Sequence, residues 1–216
     1  MPEYSLVNSK MLSVRLRNEE VFAKRGAMIA YTGFVDFAPS SSGSEGMRGA
    51  AMRSVTGERM TLMSARGTGE VLYAYYGMYV TMIPLQGETF YAESESVLAY
   101  DGRLRSGTEF MGQGGAGGLI RGAATGSGLF TTTLEGMGEL AIVSEGGAIA
   151  LDVTPQRPIF VDPQAYVGHR GQLQSTLVTD VGWKTFVGQS SGESYQLKFT
   201  GQGIVYIQAA ERGGNR

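Results

Sequence analysis

Few residues in this 216-residue chain are of the types that carry chemistry, and their spacing restricts what that chemistry could be. The only histidine, His169, takes the column that Tyr31 and Tyr100 hold at intervals of 69 residues, so it reads first as a part-buried ring at a strand end. A Ser–His–acid triad is formally possible, but the expectation is that no G-x-S-x-G string provides a nucleophile elbow for it. The carboxylates Glu58, Glu70, Glu88, Glu93, Glu135, Glu139, Glu145 and Glu193 are spread over turns and strand edges. Glycoside chemistry would need two of them held about 5–9.5 Å apart; charges that protect strand edges from aggregation explain the scatter more simply. One His and no Cys leave only carboxylates as metal ligands, and no EF-hand spacing occurs. We expect no catalytic residue, no metal and no cofactor.

The Gly112–Gly118 segment (GQGGAGG) resembles a phosphate loop in its glycines alone. It lacks the Gly-Lys-Ser/Thr ending, and Arg121 is its nearest cation. Trp183, the sole tryptophan, lies in an apolar stretch, 176–188, where the corresponding parts of the chain are Ser- or Gly-rich. A tryptophan so placed either plugs a core or anchors a partner. With Arg48, Arg53, Phe110 and Arg121, it makes up the set of candidate partner contacts.

The elements that must position these residues follow from an internal repeat, the feature to seek first in any sequence. Residues 21–35 (VFAKRGAMIAYTGFV), 90–104 (FYAESESVLAYDGRL) and 159–173 (IFVDPQAYVGHRGQL) align without gaps. Val21, Phe90 and Ile159 share one column, Ile29, Leu98 and Val167 another, and Gly33, Gly102 and Gly171 close the pattern. A second block carries Gly67-Thr68-Gly69, Gly136-Met137-Gly138 and Gly201-Gln202-Gly203, each leading into a short apolar run. Glycine reaches positive φ without strain, so each G-x-G reads as a turn between strands. A unit of this length holds six or seven strands of ordinary size. The expected fold is therefore all-β: three tandem β-sandwich-like modules with pseudo-threefold arrangement, over 1–69, 70–138 and 139–210, strands being shared across the boundaries, then a flexible tail, 211–216.

Bulk properties agree. The chain has 33 glycines and 6 prolines, which suits many short strands and tight turns. Its net charge of −2 gives no footprint for nucleic acid. The absence of Cys excludes disulfides and thiolate sites and suits a reducing cytoplasm. No signal peptide is seen in the first twenty residues. The longest uncharged stretch, Val71 to Gly87, falls short of a membrane-spanning helix and reads as paired strands turning at Gly77.

The Arg25–Gly33 stretch (RGAMIAYTG), Leu119–Phe130 (LIRGAATGSGLF), Gly136 with Gly138, and Gly146-Gly147 resemble the family named for altered inheritance of mitochondria protein twenty-four, formerly a domain of unknown function. The likeness covers nearly the whole chain, in glycine-and-apolar motifs that mark a scaffold. It implies a fold similar to the tryptophan RNA-binding attenuation protein, related to double-stranded β-helices, and an oligomeric habit. Eukaryotic relatives are tied to mitochondrial inner-membrane organisation. No residue matches the attenuation protein's tryptophan or RNA sites.

These readings predict a cytoplasmic, non-enzymatic scaffold or interaction protein. It is expected to form a closed homo-oligomer, a trimer first, with an unknown protein partner and no integral membrane segment; peripheral membrane association stays open. The alternatives are a small-molecule-binding module with its ligand between modules and, third, an enzyme with a carboxylate-based site. Specificity is expected in the connections from Gly33 to Gly57, Gly102 to Gly126 and Gly171 to Gly192, gathered at one rim.

Overall fold

A computed structural model describes residues 1–40, 62–111, 129–179 and 195–211. Their strands are β1 (Glu3–Asn8), β2 (Met11–Lys24), β3 (Met28–Ser40), β4 (Leu62–Tyr73), β5 (Tyr79–Glu93), β6 (Val97–Asp101), β7 (Arg105–Met111), β8 (Leu129–Ser144), β9 (Ala148–Val153), β10 (Ile159–Val161), β11 (Tyr166–Thr179) and β12 (Tyr195–Gln208). All pair antiparallel in one open sheet of order β10-β12-β11-β5-β8-β6-β2-β4-β3, with β1 on β2, β7 on β8 and β9 on β12. Among the described residues the only helical turn is the short 3₁₀ segment Ser94–Ser96. The all-β expectation holds.

The long strands form because β-branched, aromatic and other apolar residues alternate with polar ones, and β2 and β5 each change face once at a bulge. In β2, Leu12, Val14 and Leu16 are buried, whereas Arg15 and Arg17 face out. The pairing with β4 then slips between Arg17 and Glu19, and Asn18 sits at φ 68°. Beyond the slip the buried positions are the odd ones, Val21 and Ala23. A one-residue insertion has this effect because side chains alternate with period two. Strand β5 does the same: Ile83 and Leu85 are buried before a slip at Gln86/Thr89, Phe90 and Ala92 after it, and Gly87 stands at φ 109°. The pairing registers also recur at the spacing of the sequence repeat: Ile83↔Leu140 lies 69 positions after Val14↔Val71 at both partners.

The G-x-G triplets correct the expectation of turns. All three lie inside strands, in β4, β8 and β12. Gly33 pairs Gly69, and Gly171 pairs Gly203. A Cβ on Gly69 would stand 2.0 Å from the Thr32 carbonyl oxygen, and one on Gly203 2.3 Å from that of Arg170. Glycine is needed there because two backbones approach more closely than any side chain permits.

The Val71–Gly87 stretch does turn at Gly77: Tyr76 and Gly77 both have positive φ, 45° and 68°, and Met78 N–H donates to the Tyr75 carbonyl at 2.9 Å. The strands it joins, β4 and β5, do not pair with each other, contrary to expectation. Each has a partner elsewhere in the chain, β2 and β3 for the one, β8 and β11 for the other. The 69/70 and 138/139 boundaries fall within β4 and β8.

Three apolar clusters run along the sheet. The first centres on Val14 and Val71 and reaches Leu98, the second on Phe90 and Leu140 and reaches Val167, the third on Phe199 and Val205. Each fully buried side chain of this size contributes roughly 1.5–3 kcal/mol. The first two clusters cross from one repeat to the next, so neighbouring repeats fold against each other.

Candidate interaction surface

Two strand junctions join the repeats, and they share one design. At the first, β2 meets β6 through Val21↔Asp101, Phe22↔Tyr100 and Ala23↔Ala99. At the second, β5 meets β11 through Phe90↔Arg170, Tyr91↔His169 and Ala92↔Gly168. Each residue of the second lies 69 positions after its counterpart in the first. A ring pair crosses each junction: Phe22 and Tyr100 at 5.4 Å between centroids, Tyr91 and His169 stacked at 4.6 Å. Such pairs typically contribute about 0.5–1.5 kcal/mol beyond their buried area.

The second junction gives His169 its surroundings. The imidazole is buried, and its Nδ1 lies 2.7 Å from the Tyr166 hydroxyl, which also reaches the Tyr91 carbonyl at 3.1 Å. Phe199 packs against the ring at 5.3 Å. Burial lowers its pKa from 6.5 to about 4, so the ring is neutral at pH 7. His169 is thus more deeply enclosed than the part-buried strand-end ring the sequence suggests.

The first junction carries a polar group instead. Asp101 is buried and accepts from the Arg103 backbone N–H at 3.0 Å and from its guanidinium at 2.9 and 2.7 Å. Glu139, on the adjacent strand, has its carboxyl pKa raised, first by burial and second by the Asp101 charge, and its Oε2 is buried without a hydrogen-bond partner. Tyr4 is buried beside them, and burial raises its hydroxyl pKa well above the usual value. Nearby, the Ser13 hydroxyl donates to Glu70 at 2.5 Å. Among the described residues no group of three His, Asp or Glu side chains could hold a metal ion.

The two ends of the sheet differ from these interior junctions. Among the described residues, strand β3 pairs only with β4, and β10 only with β12. Met28, Ile29, Tyr31 and Phe34 on β3 and Phe160 on β10 are exposed. An apolar strand edge left open is a surface for association.

Of the candidate partner contacts, Phe110 lies in β7, its backbone opposite Phe130 of β8. Arg48, Arg53, Arg121 and Trp183 lie outside the described residues, as do Glu58, Glu193 and the GQGGAGG segment. The string GQSSG at 188–192 spells the G-x-S-x-G of a nucleophile elbow, which corrects the expectation of no such context in letters. The next described element is strand β12, where an elbow requires a helix. The last described pairs before the three connections are Ser40↔Leu62, Met111↔Leu129 and Thr179↔Tyr195, within two residues of repeat-equivalent positions. Their first parts, 33–40, 105–111 and 171–179, are strand.

Sequence reasoning missed the open edge of β3 and Phe160. Ile29 and Tyr31 stand in repeat columns whose other members are buried, and Phe160 in one whose other members, Phe22 and Tyr91, are half-buried, so residue type alone could not separate them. The Asp101–Arg103–Glu139 group was missed as well; its signal was a charged residue closing the otherwise uncharged run Val97–Tyr100.

Together these features define a class: an all-β protein whose extended antiparallel sheet is built from repeated strand sets and ends in apolar edges. More particularly, the chain belongs to the mitochondrial biogenesis AIM24 family, whose model matches residues 4–210. A comparison with curated proteins found no match. Among solved structures, the crystal structure of protein SPYM3_0169 from Streptococcus pyogenes is similar, with a TM-score of 0.70 at 22% identity over 98% of this chain and 94% of that one. That likeness shows the fold. No helix among the described residues is long and apolar enough to cross a membrane.

Proposed function

We propose that this protein is a non-enzymatic scaffold: three similar β-units in pseudo-threefold order that self-associate, with a trimer the first expectation, and bind a protein partner. The observation that carries the reading is the apolar edge of β3, where Met28, Ile29, Tyr31 and Phe34 are all exposed. The buried polar groups elsewhere fit a structural use. His169 is neutral and tied to Tyr166, and Arg103 holds Asp101 through both carboxylate oxygens. A partner would be met at the rim where the three connections leave the sheet, through Arg48, Arg53, Phe110, Arg121 and Trp183. To test the rim, residues 39–46 and 112–118 are replaced by short Gly-Ser links, and Trp183→Ala is made separately. Variants that stay folded but lose proteins retained by the wild type from a native lysate would support it. Identical recovery by every folded variant would refute it.

A second reading, a carboxylate-based enzyme, draws support from Glu139 alone, whose raised carboxyl pKa beside Asp101 is the kind of perturbation found at proton-transfer sites.

A further inference from the structure

We infer that the free edges of β3 and β10 are the two halves of one further junction, completed head-to-tail by a second copy of this chain. This rests on the reading of the protein as a self-associating scaffold and specifies which strands meet. Each interior junction joins a strand of one repeat to a strand of the next, in a register that advances by 69 residues. One further step gives Ile159↔Thr32, Phe160↔Tyr31 and Val161↔Ala30.

The burial of matching residues fits that step. Leu98 and Tyr100 are 0% and 1% exposed at the first junction, and Val167 and His169 are 0% and 5% exposed at the second. Their counterparts Ile29 and Tyr31 are 55% and 49% exposed. On the other side, Phe22 and Tyr91 are half-buried, whereas Phe160 is 53% exposed. A chain closed on itself would cover Tyr31 with its own Phe160, and both stand open.

The backbone of β3 is shaped for the role. The register slip between Met28 and Ala30 on β4 has counterparts between Val97 and Ala99 and between Tyr166 and Gly168, at the strands that form the interior junctions. Residues 28–35 (MIAYTGFV), the part of β3 that would pair, contain no charge or proline; the Asp36 and Pro39 that could discourage pairing come later in the strand. Strand β10 offers Ile159, Phe160 and Val161, likewise uncharged. A second copy is the fitting occupant, because the complementary edge already exists in the same sequence. Head-to-tail contacts of this kind close into rings when the rotation permits.

The absence of native cysteine makes the test direct. Tyr31→Cys and Phe160→Cys are made in separate chains, mixed and mildly oxidised. Opposed residues of an antiparallel pair lie about 4.5–5.5 Å apart between Cα atoms, within reach of a disulfide. The expected result is a disulfide-linked dimer at twice the 23.0 kDa chain mass, formed several-fold more than by Phe160→Cys mixed with Glu3→Cys. Thr32→Cys mixed with Ile159→Cys should link as well, which guards against one variant misfolding. Linking no better than the Glu3 control would overturn the assignment. So would an intrachain disulfide in the double variant Tyr31→Cys/Phe160→Cys without doubling of mass. If the wild type is oligomeric while neither pair links, the assignment fails and self-association stands; a monomeric wild type without linking removes both.

Discussion

His169 shows how burial turns one side chain into a pH-sensitive part of the fold. Its pKa falls from 6.5 to about 4 because charging the ring would place a cation among Tyr91, Tyr166 and Phe199. The native state therefore binds a proton less readily than the unfolded chain. The stability this neutral ring contributes is fully present above pH 6.5 and is lost as pH falls toward about 4, by about 3 kcal/mol if the shift is realised in full. His169→Tyr copies the residue at the first junction, so it should fold, and denaturant titrations from pH 7 to 4 should show a shallower loss than in the wild type. Parallel curves for the two proteins would contradict the assignment. The residue type at this position was legible from its column, since Tyr31 and Tyr100 showed that a ring belongs there. Its depth was not, because depth depends on β5 and β12 closing over it, and those contacts are long-range.

At the scale of the element, the twelve strands were legible as a class but the glycine triplets within them were misread. Gly before an apolar run describes a turn and a mid-strand close approach equally well. The deciding fact is that β3 lies against β4, and β11 against β12, with carbonyls where a Cβ would go. A sequence does not show which strand lies opposite. The two kinds of glycine should respond differently to alanine. Nothing lies within 4 Å of a Cβ at Gly87, so Gly87→Ala meets only the backbone cost of positive φ, about 1–2 kcal/mol. Gly203→Ala must instead displace the Arg170 carbonyl and the Leu173 side chain. Thermal unfolding should rank Gly203→Ala as clearly the more damaging. Equal effects would mean that the close approach between β11 and β12 is not real.

For the whole molecule, the repeat of 69 residues anticipated the common pairing registers, because residues in one column meet similar neighbours. It did not anticipate a continuous sheet whose first and last repeats differ from the middle in exposure. Leu98 and Ile29 are both large and aliphatic, yet one is covered by the preceding repeat and the other, in the first repeat, has no preceding repeat to cover it. Position within the series, not residue type, makes the edge. The central claim is that such a chain does not exist alone in solution. Light scattering on the wild type at micromolar concentration tests it most directly: the account predicts a discrete oligomer, first of all three times the 23.0 kDa chain mass, and a stable species at 23.0 kDa would contradict it.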